Sequence, residues 1–320
     1  MKSEETLVSI IINNYNYGNF LPEAIDSAFA QTYPNTEVIV VDDGSTDKSR
    51  EIIHSYEQRI IPVLKENGGQ ASAFNAGFKA CKGQIICFLD SDDYYLPEKV
   101  SKIVELFEQY PNAGWIFHDL AEVDIKGFSL KIPEKRCIKN FEYVDLREII
   151  LKGKLLKYWF PATTGLCFKR DIIKQILPMP EQFFISSDAF LRLAVINLSP
   201  GILSPEKLAI HRSHGDNSYA FKENIGVDRS KLYIKVAYYL RNRFPETQNF
   251  TDNLLANSLV QLINCTSLKE AIDFPEYQAY WKDYPQLISR LNLTFKVIFT
   301  YGKIQGRRVV NSISSRRWSG

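Results

Sequence analysis

The chain is 320 residues long, 45% hydrophobic and 24% charged, which is long enough for a catalytic core plus an appendage and too apolar for a disordered chain. Its 39 basic and 37 acidic residues leave a formal charge of +2, without the marked basic excess of a nucleic-acid binder. Five cysteines without a C-x-x-C pair, a polar start and no apolar run of roughly 18 residues argue against a disulfide framework, a secretory leader and a membrane span, and predict free thiols in the cytoplasm.

Four short β-branched apolar runs, at Leu7 to Ile12, Glu37 to Val41, Ile60 to Leu64 and Ile85 to Leu89, read as strands. Between and after them, Pro22 to Gln31, Asp47 to Gln58, Gln70 to Cys81 and Pro97 to Gln109 read as helices. Runs that are apolar throughout, rather than alternating, imply strands buried on both faces, hence a parallel sheet between helical layers. This is a doubly wound α/β core. Further on, Ala113 to His118 and Gly165 to Lys169 read as strands and Ser187 to Asn197 as a helix, around a mixed region reaching about Asp145. From about Asn224 the apolar spacing is helical, at Leu232 to Leu240 and Leu254 to Ile263, interrupted by Pro245, Pro275 and Pro285.

In an open parallel sheet, ligands bind beyond the carboxyl ends of the strands, near the point where strand order reverses. Here those ends are Asn13-Asn14-Tyr15-Asn16, Asp42-Asp43-Gly44-Ser45, Asn67-Gly68-Gly69-Gln70 and Asp90-Ser91-Asp92-Asp93. Any one of them is ordinary turn chemistry. The crowding of Asp90, Asp92 and Asp93 is not, because like charges so close are destabilising unless a cation or hydrogen-bond donors compensate. Oxygen ligands of this kind suit Mg²⁺ or Mn²⁺, which takes one or two carboxylates and fills its remaining positions with water and phosphate oxygens. A diphosphate-bearing ligand is expected.

These four strings, Val8 to Asn16, Val38 to Asp47, Asn67 to Gly77 with Lys82-Gly83, and Phe88 to Asp93, resemble in order and spacing a family 2 inverting glycosyltransferase. The resemblance covers about residues 6 to 220. It implies a GT-A type, mostly parallel α/β catalytic domain over residues 1–222, with a nucleotide-binding half (about 1–112) and an acceptor half (about 113–222), followed by a helical region over 223–320. It further implies that Asn13 and Tyr15 line a pocket for a uracil-like base and that Asp43 accepts a hydrogen bond from the base N–H. It gives Asp90 or Asp92 to the ribose and sugar, and Asp92 or Asp93 to the metal. Where many relatives carry Ala-Arg-Asn, this chain has Ala73-Phe74-Asn75, so no arginine contact to the diphosphate is expected there and Phe74 reads as packing.

Downstream, Phe160 to Arg170 resembles the family's acceptor-side strand, and Ser186-Ser187-Asp188 the start of its acceptor-site helix. The resemblance implies that Asp188 is the catalytic base, since inverting transfer needs a carboxylate to take the acceptor hydroxyl's proton. By position alone Asp188 is equally a carboxylate at a helix N-terminus. Ile210 to Ser218 resembles an R-x-H-x-x-N segment, from which His214 is a candidate ligand for the metal or the diphosphate, or else a structural donor.

After Asp283 the chain has no acidic residue, while Arg290, Lys296, Lys303, Arg307, Arg308, Arg316 and Arg317 alternate with apolar residues. Such a tail fits a peripheral place at the inner face of the cell membrane, or simply a solvated end. Arg317-Trp318 lacks the preceding Gln and the membrane helices of processive synthases, so transfer of a single sugar from a UDP-sugar to a glycan or lipid-linked glycan of the cell envelope is expected. The rival readings are a non-catalytic nucleotide-sugar binder of the same fold and a dinucleotide-dependent oxidoreductase. The second lacks G-x-G-x-x-G after the first strand.

Overall fold

The computed structural model describes residues 6–56, 58–131, 133, 137–214, 225–283 and 290–302. Pro285, the segment from Gly215 to Asn224 and the tail from Lys303 onward lie outside the described residues. The chain divides into two compact units, Met1–Arg147 with Lys157–Ala220, and Glu148–Leu156 with Phe221–Gly320.

In chain order the elements are β1 (Val8–Asn14), α1 (Leu21–Phe29), β2 (Thr36–Asp43), α2 (Ser49–Tyr56), β3 (Ile61–Lys65), α3 (Gly69–Ala80), β4 (Ile85–Asp90), β5 (Tyr94–Tyr95), α4 (Lys99–Gln109), β6 (Trp115–Asp124) and β7 (Glu142–Val144). There follow α5 (Arg147–Leu151), which falls almost wholly in the second unit, then β8 (Leu166–Lys169), α6 (Arg170–Ile173), α7 (Asp188–Val195) and β9 (Gly201–Ser213). The sheet runs β3-β2-β1-β4-β8-β6-β9-β5, with β7 paired to β9. Pairing is parallel across β3, β2, β1 and β4 and between β6 and β9, and antiparallel where β8 joins β4 and β6.

Strands β1 and β4 are buried along nearly their whole length because helices cover both faces. The helices bury one stripe each: α1 through Leu21, Ala24, Ile25 and Ala28, and α4 through Val100, Ile103, Val104 and Phe107, the i, i+3, i+4, i+7 spacing of one helical face. Strand β3 departs from the expected full burial. It alternates half-buried and exposed residues because it is the sheet edge.

Three strands escape the sequence pattern: the three-residue β7, and β5 and β9. β5 is only Tyr94–Tyr95, immediately after the acidic cluster, and β9 carries Pro205, Glu206 and Lys207 in its middle, which breaks any apolar run. β5 and β9 pair with each other through Tyr94↔Ile210 and Tyr95↔Ala209, so the end of β9 is tied alongside Asp92 and Asp93.

Helix α3 anchors the segment from Met179 to Phe184. Its first free N–H groups, on Gln70 and Ala71, donate to the carbonyls of Phe184 and Phe183, and Asn75 makes a two-way pair with the Met179 backbone at 2.9 and 2.8 Å. Gly69 makes this approach possible, with φ +82° and Phe184 where a Cβ would stand, 2.6 Å away. Phe74 is buried against Phe88, ring centroids 4.6 Å apart.

The second unit holds α8 (Ile225–Arg243), α9 (Gln248–Cys265), α10 (Leu268–Ile272), α11 (Pro275–Lys282) and α12 (290–302). Pro245 and Pro275 open short helical segments, as proline tolerates at a first turn. Ile234, Leu255, Leu259, Tyr280 and Leu293 form its core, and the Tyr280 hydroxyl donates to buried Asp252 at 2.8 Å.

Gly69→Val combines a positive φ with a direct clash. It is expected to cost at least about 1–3 kcal/mol, read as a lower denaturant midpoint, whereas valine at the exposed Gly127 turn, which meets no neighbouring atom, costs only the backbone strain.

Candidate active site

Parallel register builds the site. The last pairs of three neighbouring strand pairings are Asn13↔Asp90, Asn14↔Asp42 and Asp43↔Lys65, and each is joined by its side chains. Asn13 Nδ2 donates to Asp90 Oδ1 at 2.7 Å, Asn14 Nδ2 to Asp42 Oδ1 at 3.1 Å, and Lys65 Nζ to Asp43 Oδ1 at 2.5 Å. The Asn13–Asp90 pair spans the β1/β4 boundary, where strand order reverses.

Asp43 also accepts from the backbone N–H groups of Gly68 (3.0 Å) and Gly69 (2.7 Å). Three of a carboxylate's roughly four acceptor positions are therefore taken, by the end of β3 and by the turn into α3. Asn13 Oδ1 is buried with no partner among the described residues. Tyr15 is half exposed beside it in sequence, with its ring available for stacking.

The acidic loop is buried and crowded. Burial, and then the charges of Asp92 and Asp93, push the Asp90 carboxyl well above the usual carboxylate range. Asp93 is raised to about 6, chiefly by burial. Its two oxygens accept from Thr164 Oγ1 at 2.5 Å and the Arg212 backbone N–H at 2.9 Å. Asp92 instead faces His214, Nε2 to Oδ2 3.0 Å. The geometry thus separates the three carboxylates: Asp90 is held by Asn13, Asp93 is bound into the protein, and Asp92 stands with His214. The His214 ring packs on Phe20 and Tyr17, centroids 4.9 and 5.4 Å away.

Among the described residues no group of three His, Cys, Asp or Glu forms a metal cage. The donor set nonetheless suits a cation that uses one or two carboxylates and completes its shell with phosphate oxygens.

Asp188 opens α7 and pairs with Arg192 one turn later, 2.9 Å apart, while Arg192 also donates to the Pro161 carbonyl. Its charge contributes to the elevation of Asp90, so the fold brings it within electrostatic reach of the acidic loop. Gln70 links the two places: Oε1 accepts from Ser187 N–H at 2.8 Å, and Nε2 lies 3.3 Å from Thr163 Oγ1 and 3.5 Å from Asp90 Oδ1.

Several residues of the site carried no signal in the sequence reading. Thr164 both accepts from the Asp90 N–H (3.2 Å) and donates to Asp93. Lys99, fully buried, donates to the Thr164 carbonyl at 3.1 Å and sits 3.2 Å from the centre of the Tyr95 ring. Burial depresses its pKa against the pull of Cys167, Cys87 and Asp93. His211 lies 3.2 Å from Glu122. Burial alone would drive its imidazole neutral, but Asp93, Glu122 and Asp92 outweigh it and hold the pKa up to about 10. Gln70 and Thr164 sat inside quoted motifs. Lys99 lies in the segment expected as a helix, and His211 in the segment that resembles R-x-H-x-x-N.

Because the His211 pKa is raised on folding, its pairing stabilises fully below the unfolded value of 6.5 and is lost as pH rises through about 10. Denaturant unfolding in EDTA is expected to show stability falling across that window, and falling less in His211→Gln.

The glycosyl transferase family 2 model matches residues 9–177. An uncharacterized glycosyltransferase of Nostoc is 36% identical over 243 residues, 71% of this chain and 74% of that protein. Escherichia coli WfaP, named a UDP-Glc:alpha-D-GlcNAc-diphosphoundecaprenol beta-1,3-glucosyltransferase, is 42% identical over 104 residues, 32% of this chain and 41% of that protein. Among solved structures, Staphylococcus aureus TarS 1–349 in complex with UDP-GlcNAc superposes with a TM-score of 0.61 at 17% identity, over 92% of this chain and 89% of that one. On this match and this fold, the chain belongs to glycosyltransferase family 2 and is a GT-A glycosyltransferase.

Proposed function

We propose that the protein transfers a single sugar, with inversion, from a UDP-sugar to a hydroxyl of a glycan or lipid-linked glycan. The observation that carries this reading is the meeting, in one site, of the Asn13–Asp90 pair, the Asp92–His214 pair and Asp188, parts of the chain far apart in sequence. The orphan Asn13 Oδ1 supports a donor-bearing ligand such as a base N–H or ribose hydroxyl, and Asp43 has about one acceptor position left for the same purpose. WfaP and TarS, by name and by bound ligand, are a UDP-glucose enzyme acting on a diphosphoundecaprenol acceptor and a UDP-GlcNAc complex. They favour uridine here, and the first favours a lipid-linked acceptor.

In the reaction, Asp188 takes the proton of the acceptor hydroxyl through the carboxylate that Arg192 holds in place. The freed oxygen bonds to the anomeric carbon on the face opposite the nucleotide, and the bond from that carbon to the diphosphate oxygen breaks. Mn²⁺ or Mg²⁺, held by Asp92 with His214 beside it, would supply positive charge to the departing diphosphate. Burial of Asp92 and Asp93 limits water on that side and strengthens the electrostatics within.

Asp188→Asn is expected to fold and to bind UDP normally while turnover falls by about 10²–10⁴, measured as UDP release with a range of UDP-sugars and undecaprenyl-diphosphate acceptors. Wild-type turnover in that variant would remove Asp188 as the base. Calorimetric titration is expected to show UDP binding more tightly with Mn²⁺ than with EDTA, and TDP and GDP more weakly. In Asp92→Asn the Mn²⁺ dependence should vanish, whereas a dependence that survives there but is lost in Asp93→Asn would move the metal to Asp93.

A further inference from the structure

Helix α12 is apolar on two opposite sides. At about 100° per residue, Leu293 and Val297 fall on one side and Leu291, Phe295, Ile298 and Phe299 on the other. The first side is docked: Leu293 is fully buried in the core of the second unit, Val297 packs against that core, and neighbouring Lys296 pairs with Asp252 at 3.1 Å. The second side is bare, with Leu291 48%, Phe295 66%, Ile298 62% and Phe299 73% exposed. A helix shaped only by its own unit carries polar residues on its outer face. A contiguous set of two phenylalanines, an isoleucine and a leucine marks an interaction surface.

Charge identifies the partner. Seven Lys and Arg and no Asp or Glu occur after Asp283, five of the seven (Lys303, Arg307, Arg308, Arg316 and Arg317) after α12. An anionic bilayer answers both features, since apolar side chains enter the boundary between headgroups and acyl chains while flanking cations draw acidic headgroups.

We propose that α12 docks the protein on an anionic lipid bilayer through Leu291, Phe295, Ile298 and Phe299. The docking needs neither donor nor acceptor and stands apart from the assignment of either.

The test is co-sedimentation of the full chain with phosphatidylcholine vesicles, with and without phosphatidylglycerol, at low and high salt. Binding is expected with phosphatidylglycerol, weakened by salt as charges become screened, and close to background on phosphatidylcholine alone. The double variant Phe295→Asp/Phe299→Asp should lose roughly tenfold or more in vesicle affinity, with unchanged circular dichroism and UDP affinity because both side chains are exposed. Lys303→Gln/Arg307→Gln/Arg308→Gln should lose the preference for phosphatidylglycerol. Absence of vesicle binding, indifference to the Phe295/Phe299 change, or a dimer in light scattering that this change dissociates without any effect on lipid, would each overturn the proposal. Since UDP binding is read separately, failure of the docking and failure of the donor assignment are distinguishable.

Discussion

The site rests on one constraint, the register in which β1 lies between β2 and β4. Residues opposite one another at the ends of parallel strands have no freedom to separate, because the ladder behind them is buried and fully paired. Asn13 must therefore meet Asp90, and Asn14 must meet Asp42. A one-residue slip would break both pairs at once. The polar mouth of the sheet is held by the buried, fully paired part of the sheet.

Around this frame the protein manages an excess of buried negative charge. Asp90, Asp92 and Asp93 lie together, and Asp188 adds its field. Each carboxylate is answered differently: Asp90 by an amide, Asp93 by a hydroxyl and a backbone N–H, Asp92 by a histidine, with Lys99 beneath and the charged His211 behind. These compensations differ in kind. Donors bound into the backbone keep a carboxylate where it is, whereas a carboxylate facing a histidine on a loop retains the capacity to take a ligand.

The same residues join the strand ends to the segment before α7. Gln70 touches Asp90, Thr163 and the backbone just before Asp188, and the N-terminus of α3 holds the carbonyls of Phe183 and Phe184. Thr164 bridges the acidic loop to the turn that precedes β8. A change in the segment from Phe183 to Asp188 is thereby felt at the strand ends through a few short hydrogen bonds. Gly69 is indispensable to this junction because any side chain there would occupy the place of Phe184.

Much of this was legible in the chain itself. The apolar runs at Val8, Val38 and Ile85 determine a buried parallel sheet, because strands without polar alternation can be satisfied only between two layers of helices. The polar strings that follow them, with Asp90, Asp92 and Asp93 so close, locate a ligand site at the strand ends. Local pattern could not reach β5, too short to carry a period, or β9, whose Pro205, Glu206 and Lys207 hide a strand paired on both edges. For the same reason it could not foresee His211 or the buried Lys99. Which carboxylate is bound into the protein and which faces His214, and that Asp188 stands near Asp90, were decided by tertiary structure alone: pairing partners far apart in sequence set burial and hydrogen bonding, and those set the chemistry of a charged group.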